Sequence, residues 1–129
     1  MPPPGRYATD TLAAFWLAPD MWMIEAPFAT HEDICGFLRG HMDGAASVTE
    51  QTDAWVRFDL AGQNLPALME RLCNVDLTAA PQGFATRTVI DHLGCYLIKH
   101  AEADLTLYGP RSSAQTLHHA LSVAAGSLG

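Results

Sequence analysis

Apolar positions along the chain switch between two spacings, and the switches mark its elements. Phe15-Trp16-Leu17 and Met21-Trp22-Met23-Ile24 are short runs of strand-forming residues. Ala18-Pro19-Asp20 between them is turn chemistry, because proline presets φ and aspartate tolerates the corner. Pro27 closes the pair. Thr30 then opens a helix, with Asp33 placed at the positive end of its dipole. Ile34, Phe37, Leu38 and Met42 recur at helical spacing, and Gly40 and Gly44 stop the helix.

Ser47 to Gln51 reads as a weak strand and Ala54 to Leu60 as a clear one. Alternation puts Val56, Phe58 and Leu60 on one face and Trp55, Arg57 and Asp59 on the other. Gly62 breaks this strand. Leu65 precedes a proline, so it is pushed away from the α region and Pro66 enters in the first helical turn. Leu65, Leu68, Met69 and Leu72 form the buried stripe of that helix. Past Pro81-Gln82-Gly83, three strands are expected at Thr86 to His92, Cys95 to Lys99 and Leu105 to Tyr108. Leu93-Gly94 serves as a tight turn and Ala101 to Ala103 as a looser one. A last helix runs from Ser112 or Ser113 to about Ala125, burying Ala114, Leu117, Leu121 and Ala124, and ends at Gly126. Strand pairs alternating with single helices predict an α+β fold: antiparallel sheets with helices on one face, in ferredoxin-like split β-α-β halves.

At 129 residues the chain is one domain, here residues 12–129 behind a loose arm at 1–11. Its 16% charged content lies below the usual ~25%, consistent with a surface partly covered by a partner. The net charge is -7 and Lys99 is the sole lysine, so there is no basic face for nucleic acid or for an anionic membrane. No apolar run approaches the ~18 residues of a membrane span, and Met1 to Gly5 has no apolar signal region. Cys35, Cys73 and Cys95 are an odd set in a chain able to build its own core. They read as reduced thiols of a cytoplasmic protein.

Candidate chemistry is sparse. His31 and Cys35 sit four apart on one helix, but further metal ligands would have to come from the distant His41, Cys73 or Cys95. Cys73 lies at the C-terminal end of its helix, where the dipole opposes thiolate formation. His118 and His119 cannot both face the core, and no carboxylate stands near them in sequence. Gly62-Gln63-Asn64 lacks both phosphate-binding glycine patterns. Ser112-Ser113 reads as a helix cap. No set of catalytic residues emerges, and no metal site. What stands out is the aromatic load: Trp16, Trp22 and Trp55, the last sharing a face with Arg57, form a possible protein interface. The alternative for Trp55 is a second core layer against the first helix.

Three stretches resemble the gamma subunit of heterotetrameric sarcosine oxidase. FWLAPDMWMIEAP, from Phe15, is similar to that family's Leu-Gly-Pro-Asp-Glu-Trp-Leu-Leu segment, with Met21 in place of the usual acidic residue. TDAWVRFDLAGQNLPALMERLCNVDL, from Thr52, resembles its strand, glycine-led helix and Cys-x-x-Asp-Leu ending. ATRTVIDHLGCYLIKHAEADLTLYGPRSSAQTLHHAL, from Ala85, resembles its Thr-rich strand, hairpin and aromatic-Pro-Arg-Ser helix entry. Typical members carry several tens of residues before the tryptophan block, where this sequence has the fourteen before Phe15.

The family is grouped with folate-binding domains such as the aminomethyltransferase of the glycine cleavage system. The resemblance implies a non-catalytic subunit that serves assembly of a complex with alpha, beta and delta subunits. That complex oxidatively demethylates sarcosine to glycine, giving hydrogen peroxide and, with tetrahydrofolate, 5,10-methylenetetrahydrofolate. It further implies that this chain binds no cofactor: FAD and FMN go with the beta subunit, NAD and tetrahydrofolate mainly with alpha, and zinc with delta. Two other functions stay open, a small folate-binding or one-carbon-transfer protein and a homo-oligomeric binding module.

Overall fold

The computed structural model describes residues 6–9, 12–18, 21–26, 33–42, 47, 51 and 53–127. Three strands, β1 (Tyr7–Thr9), β2 (Ala13–Ala18) and β3 (Met21–Glu25), form one antiparallel sheet in that order. The strand expected at Phe15 is therefore longer. Tyr7–Thr9, inside the expected arm, pairs in register with Ala13 to Phe15. Helix α1 covers Ile34–Met42. Thr30 and Gly44 lie outside the described residues, and the strand expected over 47–51 falls mostly outside them. Within α1 the cap is Asp33, whose Oδ1 accepts the Gly36 N–H at 3.0 Å. Gly40 does not stop the helix; it is inside it, where one glycine costs only about 1 kcal/mol of propensity.

The main sheet has four strands in the order β4-β7-β6-β5: β4 (Trp55–Ala61), β5 (Phe84–Ile90), β6 (Leu93–Ala101) and β7 (Asp104–Pro110). All its pairs are antiparallel. Helix α2 (Leu65–Glu70) connects β4 at one edge to β5 at the other. The α+β class with antiparallel sheets is what forms. A split β-α-β half has one strand between the two that its helix joins; here two strands, β7 and β6, lie between β4 and β5. Pro66 lies in the first turn of α2, but Leu65 is itself helical.

The β5–β6 turn is not Leu93-Gly94. Ile90 pairs with Leu93, so the turn is Asp91-His92, with φ of 51° and 66°. Both residues adopt the left-handed conformation that a two-residue hairpin demands, although neither is glycine. After a short 3₁₀ turn at Arg111–Ser113, α3 spans Ala114–Ser127 and runs through Gly126 instead of stopping there.

The alternation read from the sequence sets two cores on the two faces of the main sheet. Leu65, Leu68 and Met69 of α2 and Leu117, Leu121 and Ala124 of α3 pack on Cys95, Leu97, Leu105 and Leu107. On the opposite face Phe15 packs with Ala85, Ile98 and Tyr108, joined by Leu17, Met23, Trp55 and Tyr96. The layers are thus helices, four-stranded sheet, three-stranded sheet. Arg6 bridges to Phe84, joining the small sheet to the β5 edge of the large one. Among the described residues no helix is long and apolar enough to cross a membrane.

Candidate functional site

The richest polar cluster lies between the two sheets. Arg57 and Asp59 share the β4 face that looks toward the small sheet, as alternation requires. Register brings Thr106 opposite Asp59 and Tyr108 opposite Arg57, with Ile98 opposite Thr106 on the next strand. Arg57 donates through Nη1 to Glu25 Oε2 at 3.0 Å, through Nε to Asp59 Oδ1 at 2.9 Å and through Nη1 to the Tyr108 hydroxyl at 3.2 Å. Its guanidinium also sits 5.8 Å from the Tyr108 ring centroid, within cation–π range. The Thr106 hydroxyl donates to Asp59 Oδ1 at 2.8 Å. It therefore accepts the 2.8 Å bond from His100, which assigns that ring's proton to Nε2.

Burial pushes the Asp59 carboxyl up, but the Thr106 hydroxyl, the Arg57 guanidinium and the charge of His100 outweigh it and hold it below the ordinary carboxylate range. Thr106 is 1% exposed, so no substrate reaches its hydroxyl. Arg57 faces two carboxylates at once, and Glu25 comes from β3 of the other sheet. The arrangement is a latch between layers: its Thr106 end is buried, and its Arg57 ion pairs lie at the solvent-exposed margin.

The residues expected to form an interface divide into two groups. Trp55 meets Tyr96 edge-on, ring centroids 5.4 Å apart, in the core between the sheets. Among the described residues its neighbours in that core are Phe15 of the small sheet and Ile98 and Tyr108 of the large one; the second core layer expected against the first helix is not what these contacts show. Arg57 belongs to the latch. Trp16 and Trp22 are directly opposite each other in the β2–β3 ladder. Phe15, Leu17 and Met23 face the large sheet, so alternation turns Trp16 and Trp22 to the outer face of the small one, where both are half-buried.

The other candidates are placed as follows. Cys73 is half-buried against the helix-side core, and Cys95 is buried within it, its thiol pushed up by burial. His118 and His119 are both exposed; His118 lies 6.5 Å from the Phe58 ring. His31 is outside the described residues. Among the described residues no group of His, Cys, Asp or Glu could hold a metal ion. An open groove of about 510 Å³ runs between the end of α2, the Asp91 turn and α3, bordered by Arg71, Asp91, His119 and Val123.

Two features escaped the sequence reading. Thr106 joins the latch through strand register, His100 through its bond to Thr106, and Glu25 through the stacking of the two sheets; in sequence each is a polar residue two positions from a hydrophobic one of the shared core. Lys99 is the second. It is 7% exposed, and its Nζ donates to the carbonyls of Leu77 at 2.7 Å and Ala80 at 2.8 Å. The signal was the chain's sole lysine following the apolar run Leu97-Ile98 in its strand.

Together these elements define a class: an α+β protein of two stacked antiparallel sheets with helices on one outer face of the larger. The chain is similar in structure to a chain of the heterotetrameric sarcosine oxidase from Corynebacterium sp. U-96, solved in complex with pyrrole 2-carboxylate, with a TM-score of 0.79 and 21% identity. The likeness covers 97% of this chain and 66% of that one, so this chain spans just under two thirds of its length. At that identity the likeness shows the fold. No protein-family model matches the sequence, and no curated protein is significantly similar to it.

Proposed function

We propose that the chain is a non-catalytic, gamma-like subunit of a sarcosine oxidase-like complex, serving its assembly. The observation that carries this is the extent of the structural likeness, 97% of the chain at a TM-score of 0.79, to a chain of a heterotetramer. The three sequence blocks resembling gamma subunits, in the same order, support it. The geometry agrees with an assembly role: the best polar cluster ties the chain's own layers together. Alpha, beta and delta subunits are the partners in this proposal, and the flavin, dinucleotide, folate and zinc sites belong to them. A cytoplasmic setting accords with Cys73 and Cys95 as free thiols. Trp16 and Trp22, on the outer face of the small sheet, are the docking residues.

Co-expression with alpha, beta and delta subunits, with a tag on the beta subunit, tests the proposal. Retention of the chain through affinity and size-exclusion steps is expected. Passage through the column unbound would overturn it, and heat from tetrahydrofolate binding to the isolated chain would favour the folate-binding function instead.

A further inference from the structure

Lysine is ordinarily among the commonest residues of a globular chain, yet this one has a single lysine beside six arginines. The single lysine is also withdrawn: Lys99 is 7% exposed, and its ammonium is held by the Leu77 and Ala80 carbonyls. Arg6, Arg57, Arg71, Arg87 and Arg111 are exposed. Among the described residues, then, every exposed Lys-or-Arg position presents a guanidinium. The two cations differ in reactivity. A guanidinium keeps its proton at any physiological pH, whereas a lysine amine supplies a free-base fraction that attacks carbonyl carbon.

We propose that this lysine-free surface suits the chain to work beside a reaction that releases a one-carbon aldehyde. The inference rests on the assembly proposed above. Oxidation of an N-methyl amine passes two electrons to the oxidant and leaves an iminium; water adds to it, and the methyl carbon departs as formaldehyde. An exposed lysine would then react. Its Nζ lone pair bonds to the aldehyde carbon, the carbonyl oxygen takes up a proton, and loss of water gives a new iminium. A neighbouring nucleophile closes that into a methylene bridge between chains. Arginine at the same positions keeps the positive charge without offering the amine. Lys99, enclosed beneath the 77–80 segment, keeps its ammonium for the fold.

Two measurements test this. The full chain is treated with formaldehyde and cyanoborohydride, which adds two methyl groups to each accessible amine, and labelling is followed by peptide mass spectrometry. The α-amino group is expected to label, with Lys99 at least ~10-fold slower in buffer than in urea. Equal rates would overturn the withdrawal of Lys99. In the second, the complex turns over sarcosine without folate, carrying either the native chain or its combined R71K, R87K and R111K variant. The variant chain is expected to cross-link to its neighbours on denaturing gels several-fold more than the native chain, whose accessible amine is the α-amino group. Equal cross-linking of the two, or none in either, would overturn the proposal. If no complex forms, the assembly proposal falls, and the reason for the adaptation with it, whatever the labelling of Lys99 shows.

Discussion

Lys99 shows how one side chain organises a segment that has no regular structure. Between α2 and β5 the backbone lacks a ladder, so its polar groups need side-chain partners. Asp76 Oδ1 accepts the N–H groups of Thr78 at 3.1 Å and Ala79 at 3.2 Å, while Lys99 takes the carbonyls of Leu77 and Ala80. The Cys73 to Leu77 stretch thus leaves its helix through a side-chain-built turn that buries Leu77. Lys99→Met would remove the one ammonium that makes both bonds and strand the carbonyls beneath. A loss of about 2–4 kcal/mol in urea-unfolding stability is expected. Asp59 gives the second residue-scale prediction. Its folded carboxyl is held low, so its contribution is fully present above the unfolded pKa of about 4 and is lost as pH falls through the lower folded value. Stability measured against pH should fall in that acid window, and Asp59→Asn should flatten the fall. Equal slopes in the two proteins would remove Asp59 from the latch.

Among the elements, α3 fits closely onto β7. A Cβ built at Gly109 would collide with Cδ1 of Leu117, a fully buried residue at the centre of the helix-side core. Gly109→Ala should cost about 1–3 kcal/mol by overpacking, and Leu117→Ala about 2–5 kcal/mol by leaving a cavity. Combined, they should cost clearly less than their sum, because the new methyl enters the vacated space. Additive losses would mean that the two do not share that space. The Asp91-His92 turn is the other testable element. His92→Gly should raise stability by about 1 kcal/mol, read as a higher melting temperature, by removing the left-handed strain at φ 66°.

That turn also shows where the sequence became illegible. Leu93-Gly94 carried the only glycine of the hairpin, and so drew the turn to itself. In fact Gly94 lies in the ladder opposite Val89, with the Arg87 guanidinium 3.3 Å from where a Cβ would stand. The glycine sits in the ladder beside the exposed Arg87 side chain, while the turn uses residues that only tolerate its geometry. The apolar stripes of α2 and α3 were legible because burial enforces helical spacing. The ends at Gly40 and Gly126 were not, because a single glycine weakens a helix without ending it.

At the scale of the whole molecule, the face that carries Arg57 and Trp55 meets the small sheet across their shared core. The face they occupy is polar and aromatic because it meets a second sheet of the same chain, and only the pairing of β2 and β3 over it reveals this. The α+β class followed from element order, whereas strand order in the main sheet depended on long-range pairing that local patterns do not encode. Under the proposed function, Trp16 and Trp22 are left as the docking pair. Trp22→Ala should weaken assembly by about 2 kcal/mol, measured by titrating the partner subunits, with the chain's own melting cooperative and intact. The most direct measurement of the central claim is the mass of the species formed when this 13.9 kDa chain is co-expressed with alpha, beta and delta subunits of a sarcosine oxidase. Light scattering across the size-exclusion peak should show one heterotetramer containing it. A three-subunit species with this chain eluting separately would contradict the account.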